Sequence, residues 1–188
     1  MEDVTSEHME RREHAEHAAH SGDPLLTKVS VTIAILAVVA ATIGSLETIE
    51  SGTALSKKSE SVLLQNRATD QWSYFQAQSI KKNMYDIAKA TNPGQAEAFE
   101  AKARGYEHDS DKTKDRAEEL GRESEALLQA GEHHEKRHHV LTVGVTLLHV
   151  GIAVATLSII MRGRRWPWQA SMVLGVIGAA VAAYAYAV

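Results

Sequence analysis

The longest regular pattern of apolar and polar positions lies between residues 99 and 159. Its members are Phe99, Ala103, Tyr106, Ser110, Thr113, Ala117, Leu120, Ser124, Leu127, Gly131, His134, His138, Leu141, Val145, Leu148, Ile152, Ala155 and Ile159. Alternate steps of four and three residues predict a helix that lays one side against a partner over many turns. The first two thirds are charged away from this face and the last third is apolar all round. The pattern therefore predicts a polar helix that continues into a membrane-spanning one.

A weaker repeat of the same kind precedes it. Counted backwards, its members are Thr91, Ile87, Met84, Ile80, Ala77, Ser73, Asp70, Asn66, Leu63, Ser59, Ser56, Gly52, Ile49, Ser45, Thr42, Val38, Ile35 and Val31. We expect this face to form the contact of the first helix, although its middle is small and polar. A second stripe beside it favours an additional neighbour: Leu64, Ala68, Trp72, Phe75 and Ser79.

The segment between the two repeats predicts a helix stop and a restart. Pro93 disfavours a helical Asn92 and suits the first position of the next helix. We expect Asn92 to cap that helix and Gln95 to return the capping-box bond. The two polar helices then form a hairpin with its tip near Pro93. Three glycines of the returning arm either let the helices approach closely or mark a bend, and the sequence leaves both open: Gly105, Gly121 and Gly131.

Three apolar segments are long enough to cross a hydrocarbon core of ~30 Å. They cover residues 24–46, 140–161 and 168–188. A cleavable signal peptide is disfavoured because the region before the first segment is long and acidic. The sequence predicts an all-α membrane protein with three transmembrane helices. A long, antiparallel, coiled-coil-like helical hairpin over residues 47–139 separates the first span from the second.

The composition excludes several classes of function. The 188 residues include no cysteine, which excludes disulfides, thiolate metal sites and cysteine nucleophiles. Bases do not cluster on one face, so we expect no nucleic-acid partner. There is no phosphate-binding glycine loop, nucleophile elbow or metalloprotease helix. We expect a protein that is not an enzyme. A divalent metal ion bound by histidines is the one cofactor that the sequence permits.

The short turn at residues 162–167 carries the strongest orientation signal. Its arginines are Arg162, Arg164 and Arg165. Because short, positively charged loops stay in the cytoplasm, we expect a cytoplasmic N-terminus and an extracytoplasmic hairpin. The basic pairs at residues 57–58 and 136–137 argue for the opposite orientation.

The acidic arm over residues 1–23 is rich in histidine. His14, His17 and His20 are spaced so that neighbours share a helix face, and with nearby glutamates they can chelate a divalent ion. The alternative is a solvated, charge-alternating arm with no fixed site.

A second histidine cluster precedes the second span. His134 and His138 lie one turn apart on the main repeat, a spacing that suits metal binding or pH sensing. The hairpin register places them near Glu47 and Glu50, at the membrane boundary. A structural ion-pair layer explains the same juxtaposition.

His149 is the one ionisable residue well inside an apolar span. Such residues often face the bundle interior and mark ion paths, here together with Glu47 and Glu50. The alternative is a neutral imidazole bonded across helices to Thr42, Ser45 or another polar group.

The aromatic cluster around Trp72 predicts an interaction surface that includes Leu64 and Phe75. A two-helix stalk has no room for an ordinary ligand cavity. We therefore expect a protein partner or another copy of the chain, in a parallel bundle of stalks.

With residues 67–81 (RATDQWSYFQAQSIK) and 13–17 (EHAEH) in view, the chain resembles a bacterial family of small membrane proteins catalogued as a domain of unknown function. The resemblance implies a multi-pass protein of the bacterial inner membrane and brings no catalytic or binding residues. We expect a homo-oligomeric scaffold or assembly protein. The alternatives are an oligomeric ion channel or transporter-like protein, and a metal or pH sensor.

Overall fold

The structure is a computed structural model that describes residues 24–161 and 164–187. Helix α1 is Pro24–Thr91, a 3-10 turn follows at Pro93–Gln95, helix α2 is Ala96–Ile160 and helix α3 is Arg165–Tyr184. No strand occurs within these described ranges, which confirms the all-α fold class. Each of the three helices contains a stretch long and apolar enough to cross a membrane.

The chain divides into two compact units. The three-helix unit comprises Met1–Gly52 and His134–Val188, and the hairpin unit comprises Thr53–His133. Helices α1 and α2 contribute to both units, whereas α3 belongs to the three-helix unit.

The predicted contact face of α2 is correct along its whole length. Every position of the repeat from Phe99 to Ile159 is buried or half-buried. Within the hairpin unit this face is mostly small, as at Ala103, Ser110 and Ala117. Small side chains allow the two helices to approach closely.

The predicted contact face of α1 is wrong. In the hairpin unit its buried and half-buried positions instead include Ala54, Lys57, Ser61, Leu64, Ala68, Gln71, Phe75, Gln78, Lys82, Tyr85 and Lys89. Three apolar residues of the predicted face, Ile80, Met84 and Ile87, are 60%, 63% and 65% exposed. The second stripe, through Leu64, Ala68 and Phe75, lies on the true contact face.

Hydrogen bonds explain why a polar face of α1 is the buried one. Ser61 and Ser124, each 4% exposed, donate to each other's backbone carbonyl at 2.8 Å. Further along, Thr113 Oγ1 donates to the Gln78 side-chain oxygen at 3.3 Å. Because buried polar groups that are hydrogen-bonded cost little, this face can be covered while the more apolar one stays outside.

One of the three glycines on the returning arm marks a close approach. A Cβ on Gly131 would lie 3.0 Å from the Lys58 side chain and 3.3 Å from the Ala54 carbonyl. Gly105 and Gly121 have nothing within 4 Å of that position. Gly131 therefore serves helix contact, which the other two do not.

The hairpin tip is closed by aromatic stacking and charge. The rings of Tyr85 and Tyr106 stack with centroids 5.6 Å apart, and Lys89 pairs with Glu100 at 2.8 Å. The predicted capping box is wrong. Asn92 occupies the N-cap position, but its side chain makes no capping bond and Nδ2 donates back to the Ala88 carbonyl at 3.0 Å.

An apolar core holds the three-helix unit together. Its buried members are Val29, Ile33, Leu36, Ala40, Ile43, Leu141, Val145, Leu148, Ile152, Ala155, Ala182 and Ala185. The start of α3 is tied to α1 because Trp168 Nε1 donates to Thr32 Oγ1 at 2.9 Å. Trp168 is thus half-buried, whereas Trp166 is exposed.

Candidate functional site

A group of partly buried ionisable side chains lies in the three-helix unit, where α1 and α2 leave their apolar stretches. We call it the carboxylate–histidine layer. Its members are Glu47 and Glu50 on α1, His134, Arg137, His138 and Thr142 on α2, and Tyr186 after α3. The repeat of four and three residues on α2 carries both histidines to the face that meets α1.

Glu50 is the most buried charge of the layer, with a side chain 9% exposed. Its Oε2 lies 2.5 Å from His134 Nδ1, and its Oε1 lies 4.0 Å from an Arg137 guanidinium nitrogen. In the tautomer that carries its hydrogen on Nδ1, His134 donates a hydrogen bond to Oε2 of Glu50. The two partners offset the cost of removing the carboxylate from water.

Glu47 occupies the next position of the same face of α1. Its Oε1 accepts a hydrogen bond from Thr142 Oγ1 at 2.6 Å and lies 3.8 Å from His138 Nδ1. The same hydroxyl hydrogen is shared with the backbone carbonyl of His138, whose oxygen lies 2.9 Å from Thr142 Oγ1. The hydroxyl thus holds Glu47 beside the imidazole without a direct hydrogen bond between the two.

The C-terminal end of the described chain covers the layer. The guanidinium of Arg137 lies over the ring of Tyr186, 5.4 Å from the centroid, in a cation–π contact. Two buried nitrogens, Arg137 Nε and His138 Nδ1, have no hydrogen-bond partner among the described residues. The arrangement joins α1 to α2 through contacts between side chains.

The predicted pairing of histidines with glutamates is therefore present, one carboxylate to each imidazole. His134 meets Glu50 and His138 meets Glu47, so the two histidines do not converge on one point. Within residues 24–161 and 164–187 no three histidine, aspartate or glutamate side chains are grouped to hold a metal ion. His14, His17 and His20 lie outside the described residues, and the metal site predicted there stays a prediction.

His149 is not part of this layer. It is exposed on the surface of the three-helix unit. The hydroxyls of Thr42 and Ser45, its predicted alternative partners, donate to carbonyls of their own helix, those of Val38 and Ala41. The structure thus brings Glu47 and Glu50 together and leaves His149 apart from them.

The orientation signal and the interaction surface lie elsewhere. Arg164 and Arg165 are exposed at the start of α3, and Arg162 falls outside the described residues. Leu64 and Phe75 are half-buried on the contact face of α1, and Trp72 is 36% exposed with its ring edge-on to Phe75. Leu64 and Phe75 are therefore largely covered by contacts within the hairpin.

A different surface is free. We call it the outward face of α1, and it consists of Leu55, Val62, Leu63, Tyr74, Ile80, Met84 and Ile87. On a helix with this repeat Leu63, Ile80, Met84 and Ile87 lie opposite the contact face, and the other three positions flank them. Within Thr53–His133, every large exposed apolar residue except Trp72 belongs to this face, and none comes from α2. Charged residues cover the outside of α2 instead.

Sequence reasoning missed Arg137 and Tyr186 as members of the layer. It also assigned four residues of the outward face to the inside: Leu63, Ile80, Met84 and Ile87. Arg137 could have been found, since it lies three residues after His134 and so shares its side of the helix. Nothing in the local pattern links Tyr186 to Arg137.

Comparison with known proteins gives one result. No curated protein and no solved structure matches the chain significantly. The family model described as a domain of unknown function, DUF4337, matches residues 25–188. This match covers both units and confirms the predicted resemblance. The chain belongs to the DUF4337 family.

Proposed function

We propose that the protein is a non-enzymatic, membrane-anchored scaffold or assembly protein, homo-oligomeric, that presents its helical hairpin for protein interaction. The outward face of α1 carries this proposal. Soluble proteins rarely leave a contiguous apolar patch of several hundred Å² uncovered, and larger patches mark interaction sites. A hairpin that worked alone would have polar residues there, as α2 has on its own outer side.

The membrane anchor is supported by the surface of the three-helix unit. Its exposed side chains are large and apolar, such as Val38 at 67% and Val176 at 68% exposed. Hydrocarbon suits such a surface and water does not. With Arg164 and Arg165 held in the cytoplasm, the hairpin lies outside and the N-terminus inside, in the inner membrane of a bacterial cell.

The absence of cysteine permits a direct test of this orientation. Single variants Gly94→Cys at the hairpin tip and Arg164→Cys at the turn are labelled in intact cells with a membrane-impermeant maleimide. We expect labelling of Gly94→Cys at once and of Arg164→Cys only after permeabilisation. The reverse pattern would contradict the orientation, and release of the protein by alkaline carbonate would contradict the anchor.

A photo-crosslinking amino acid tests the scaffold function in native membranes. Placed at Ile80 it should give a covalent adduct, while at the exposed Lys114 on α2 it should give none. The two exposed positions lie on different helices of the same hairpin, so each controls for the other. Absence of any adduct at Ile80 would contradict an interaction surface there.

An oligomeric channel or transporter-like protein is the second candidate. The carboxylate–histidine layer favours it, because Glu47 and Glu50 lie together where the apolar stretches end. Exposed His149 would then line a path between copies. Ion flux in proteoliposomes that His149→Ala or Glu47→Gln lowers would support this function. A wild-type protein without flux would remove it.

A metal or pH sensor is the third candidate. It would use His14, His17 and His20 of the arm together with His134 and His138. Thermal unfolding with and without zinc, at mildly acidic and at neutral pH, tests it. Four identical unfolding curves would exclude it.

A further inference from the structure

We propose that the outward face of α1 docks against the same face of a second copy of this chain, with the two α1 helices parallel and in register. This inference rests on the proposed function, since a common membrane anchor sets the relative direction of the two copies. It specifies which surface of the scaffold is bound and which molecule binds it.

The exposed apolar side chains of the hairpin unit indicate which part of a second copy binds this face. In the hairpin unit the outer side of α2 has no large exposed apolar side chain that could receive Ile80, Met84 or Ile87. Among the described residues of the hairpin unit, only α1 presents a matching apolar surface. A contact between copies therefore pairs α1 with α1.

The size of the face fits such a contact. Each of its seven side chains is 51% exposed or more. At roughly 100 Å² for each of these side chains, the face offers about 700 Å² per chain, close to the ~800 Å² per partner of a standard stable interface.

The spacing of the face fits a parallel helix pair. Leu63, Ala77, Ile80, Met84 and Ile87 fall on steps of three, four and multiples of seven residues, the positions that meet across two parallel helices. Two copies anchored in one bilayer have their α1 helices pointing the same way at the same height. Met84 of one copy then lies against Met84 of the other.

The flanking positions add no repulsion between the copies. In a parallel pair each residue of one flank meets a residue of the opposite flank. One flank is uncharged throughout the hairpin unit: Leu55, Val62, Thr69, Gln76, Asn83 and Ala90. The other flank contains both signs of charge: Thr53, Glu60, Arg67, Tyr74, Lys81 and Ala88. No like charges are paired.

Asp70 is the exception, and it gives the proposal its sharpest test. It is exposed and lies on the line of contact between Leu63 and Ala77, so in register it faces Asp70 of the second copy. Two carboxylates opposite each other repel. Replacing Asp70 should therefore strengthen self-association, an effect that a different partner protein would not produce.

The experiment uses the full chain, purified without an affinity histidine tag, in lipid nanodiscs. Oxidation of Met84→Cys should give a covalent dimer, whereas Asp86→Cys on α1 and Lys114→Cys on α2 should stay monomeric on denaturing gels. Native mass spectrometry should show Asp70→Leu shifted towards dimer. The double variant Ile80→Lys, Ile87→Lys should fall from twice the chain mass to 20.5 kDa. All six positions are exposed, so we expect folding to be preserved, and helicity by circular dichroism checks this.

Three results would overturn the inference: a monomeric wild type, a dimer that cross-links at Lys114→Cys rather than Met84→Cys, or weaker association after Asp70→Leu. Photo-crosslinking at Ile80 then separates the two proposals. An adduct with a different protein would retain the scaffold function and reject self-docking. No adduct at all would reject both.

Discussion

Gly144 of α2 and Gly178 of α3 approach each other so closely that a Cβ on either residue would lie 2.9 Å from the carbonyl oxygen of the other. The neighbour in each case is backbone, which cannot rotate away as a side chain can. Two apolar helices in lipid gain no hydrophobic driving force from each other, so small residues that let backbones approach decide whether they associate.

Alanine at either glycine should destabilise the three-helix unit. We expect Gly144→Ala or Gly178→Ala to lower the free energy of unfolding by about 1–3 kcal/mol through overpacking. Unfolding in sodium dodecyl sulfate, followed by circular dichroism, measures the change. Gly44→Ala is the control, because nothing lies within 4 Å of its Cβ position. It should keep or gain stability, by up to about 1 kcal/mol, because alanine favours a helix more than glycine does. An equal loss in all three variants would show that the contact is unimportant.

The reciprocal pair of Ser61 and Ser124 should show energetic coupling. Each single change to alanine removes a hydroxyl that donates to the opposite carbonyl, a loss of about 1 kcal/mol. The hydroxyls also lie 3.0 Å apart. The double variant should therefore lose about 0.5–1 kcal/mol less than the two single losses added together. Chemical denaturation of all four proteins gives this coupling.

Exposed Ser59 on the same helix provides the control for that cycle. Ser59→Ala should change stability by less than about 0.5 kcal/mol. Strict additivity of the Ser61 and Ser124 effects would contradict a direct interaction between them.

The contact face of α2 could be predicted from the sequence, while that of α1 could not. Outside its apolar third, α2 is densely charged everywhere except on one stripe. Only that stripe can be buried, so the sequence identifies the contact face without ambiguity. Helix α1 has two candidate stripes in the hairpin unit, and the more apolar one, with Ile80 and Met84, is the exposed one. Reasoning from hydrophobicity chooses the wrong stripe when hydrogen bonds such as that between Gln78 and Thr113 cover the polar one.

The carboxylate–histidine layer was predictable for a different reason. Opposite residues in an antiparallel hairpin have a constant sum of residue numbers, so a tip near Pro93 brings His134 to the level of Glu50. Charge complementarity then points to the pair. The cation–π contact of Arg137 with Tyr186 depends on how α3 returns, and no periodic pattern specifies that return.

Removing the charge of Glu50 should weaken the three-helix unit strongly. Glu50→Gln keeps the shape of the side chain but leaves the half-buried Arg137 without its counter-charge and weakens the contact with His134. Hydrogen bonds to charged groups contribute about 1.5–3 kcal/mol, and we expect a loss of that order. Thermal unfolding in detergent measures the loss. Glu60→Gln, an exposed carboxylate of the same helix, should change stability by less than about 0.5 kcal/mol. Similar unfolding temperatures for both variants would show that the layer is not structural.

The hairpin tip should lose stability at both ends of the pH range. The Lys89 ammonium, which is hydrogen-bonded to Glu100, holds the pKa of that carboxyl below its usual range. Its contribution is present above the carboxyl pKa of the unfolded chain and is lost as pH falls through the lower folded value. Glu107 raises the pKa of Lys82 through a hydrogen bond and its charge. That contribution is present below the lysine pKa of the unfolded chain and is lost as pH rises through the higher folded value.

Both pairs bridge α1 and α2 near the tip, so local opening there reports them more directly than global unfolding does. Amide hydrogen exchange at residues 85–106 should therefore quicken below the acidic transition. Exchange at a given pH must first be corrected for its intrinsic rate. Lys89→Met should remove the acidic transition, whereas Lys89→Arg, which retains the charge and the donor, should keep it. An unchanged transition in Lys89→Met would mean that a carboxylate other than Glu100 controls the opening of the tip in acid.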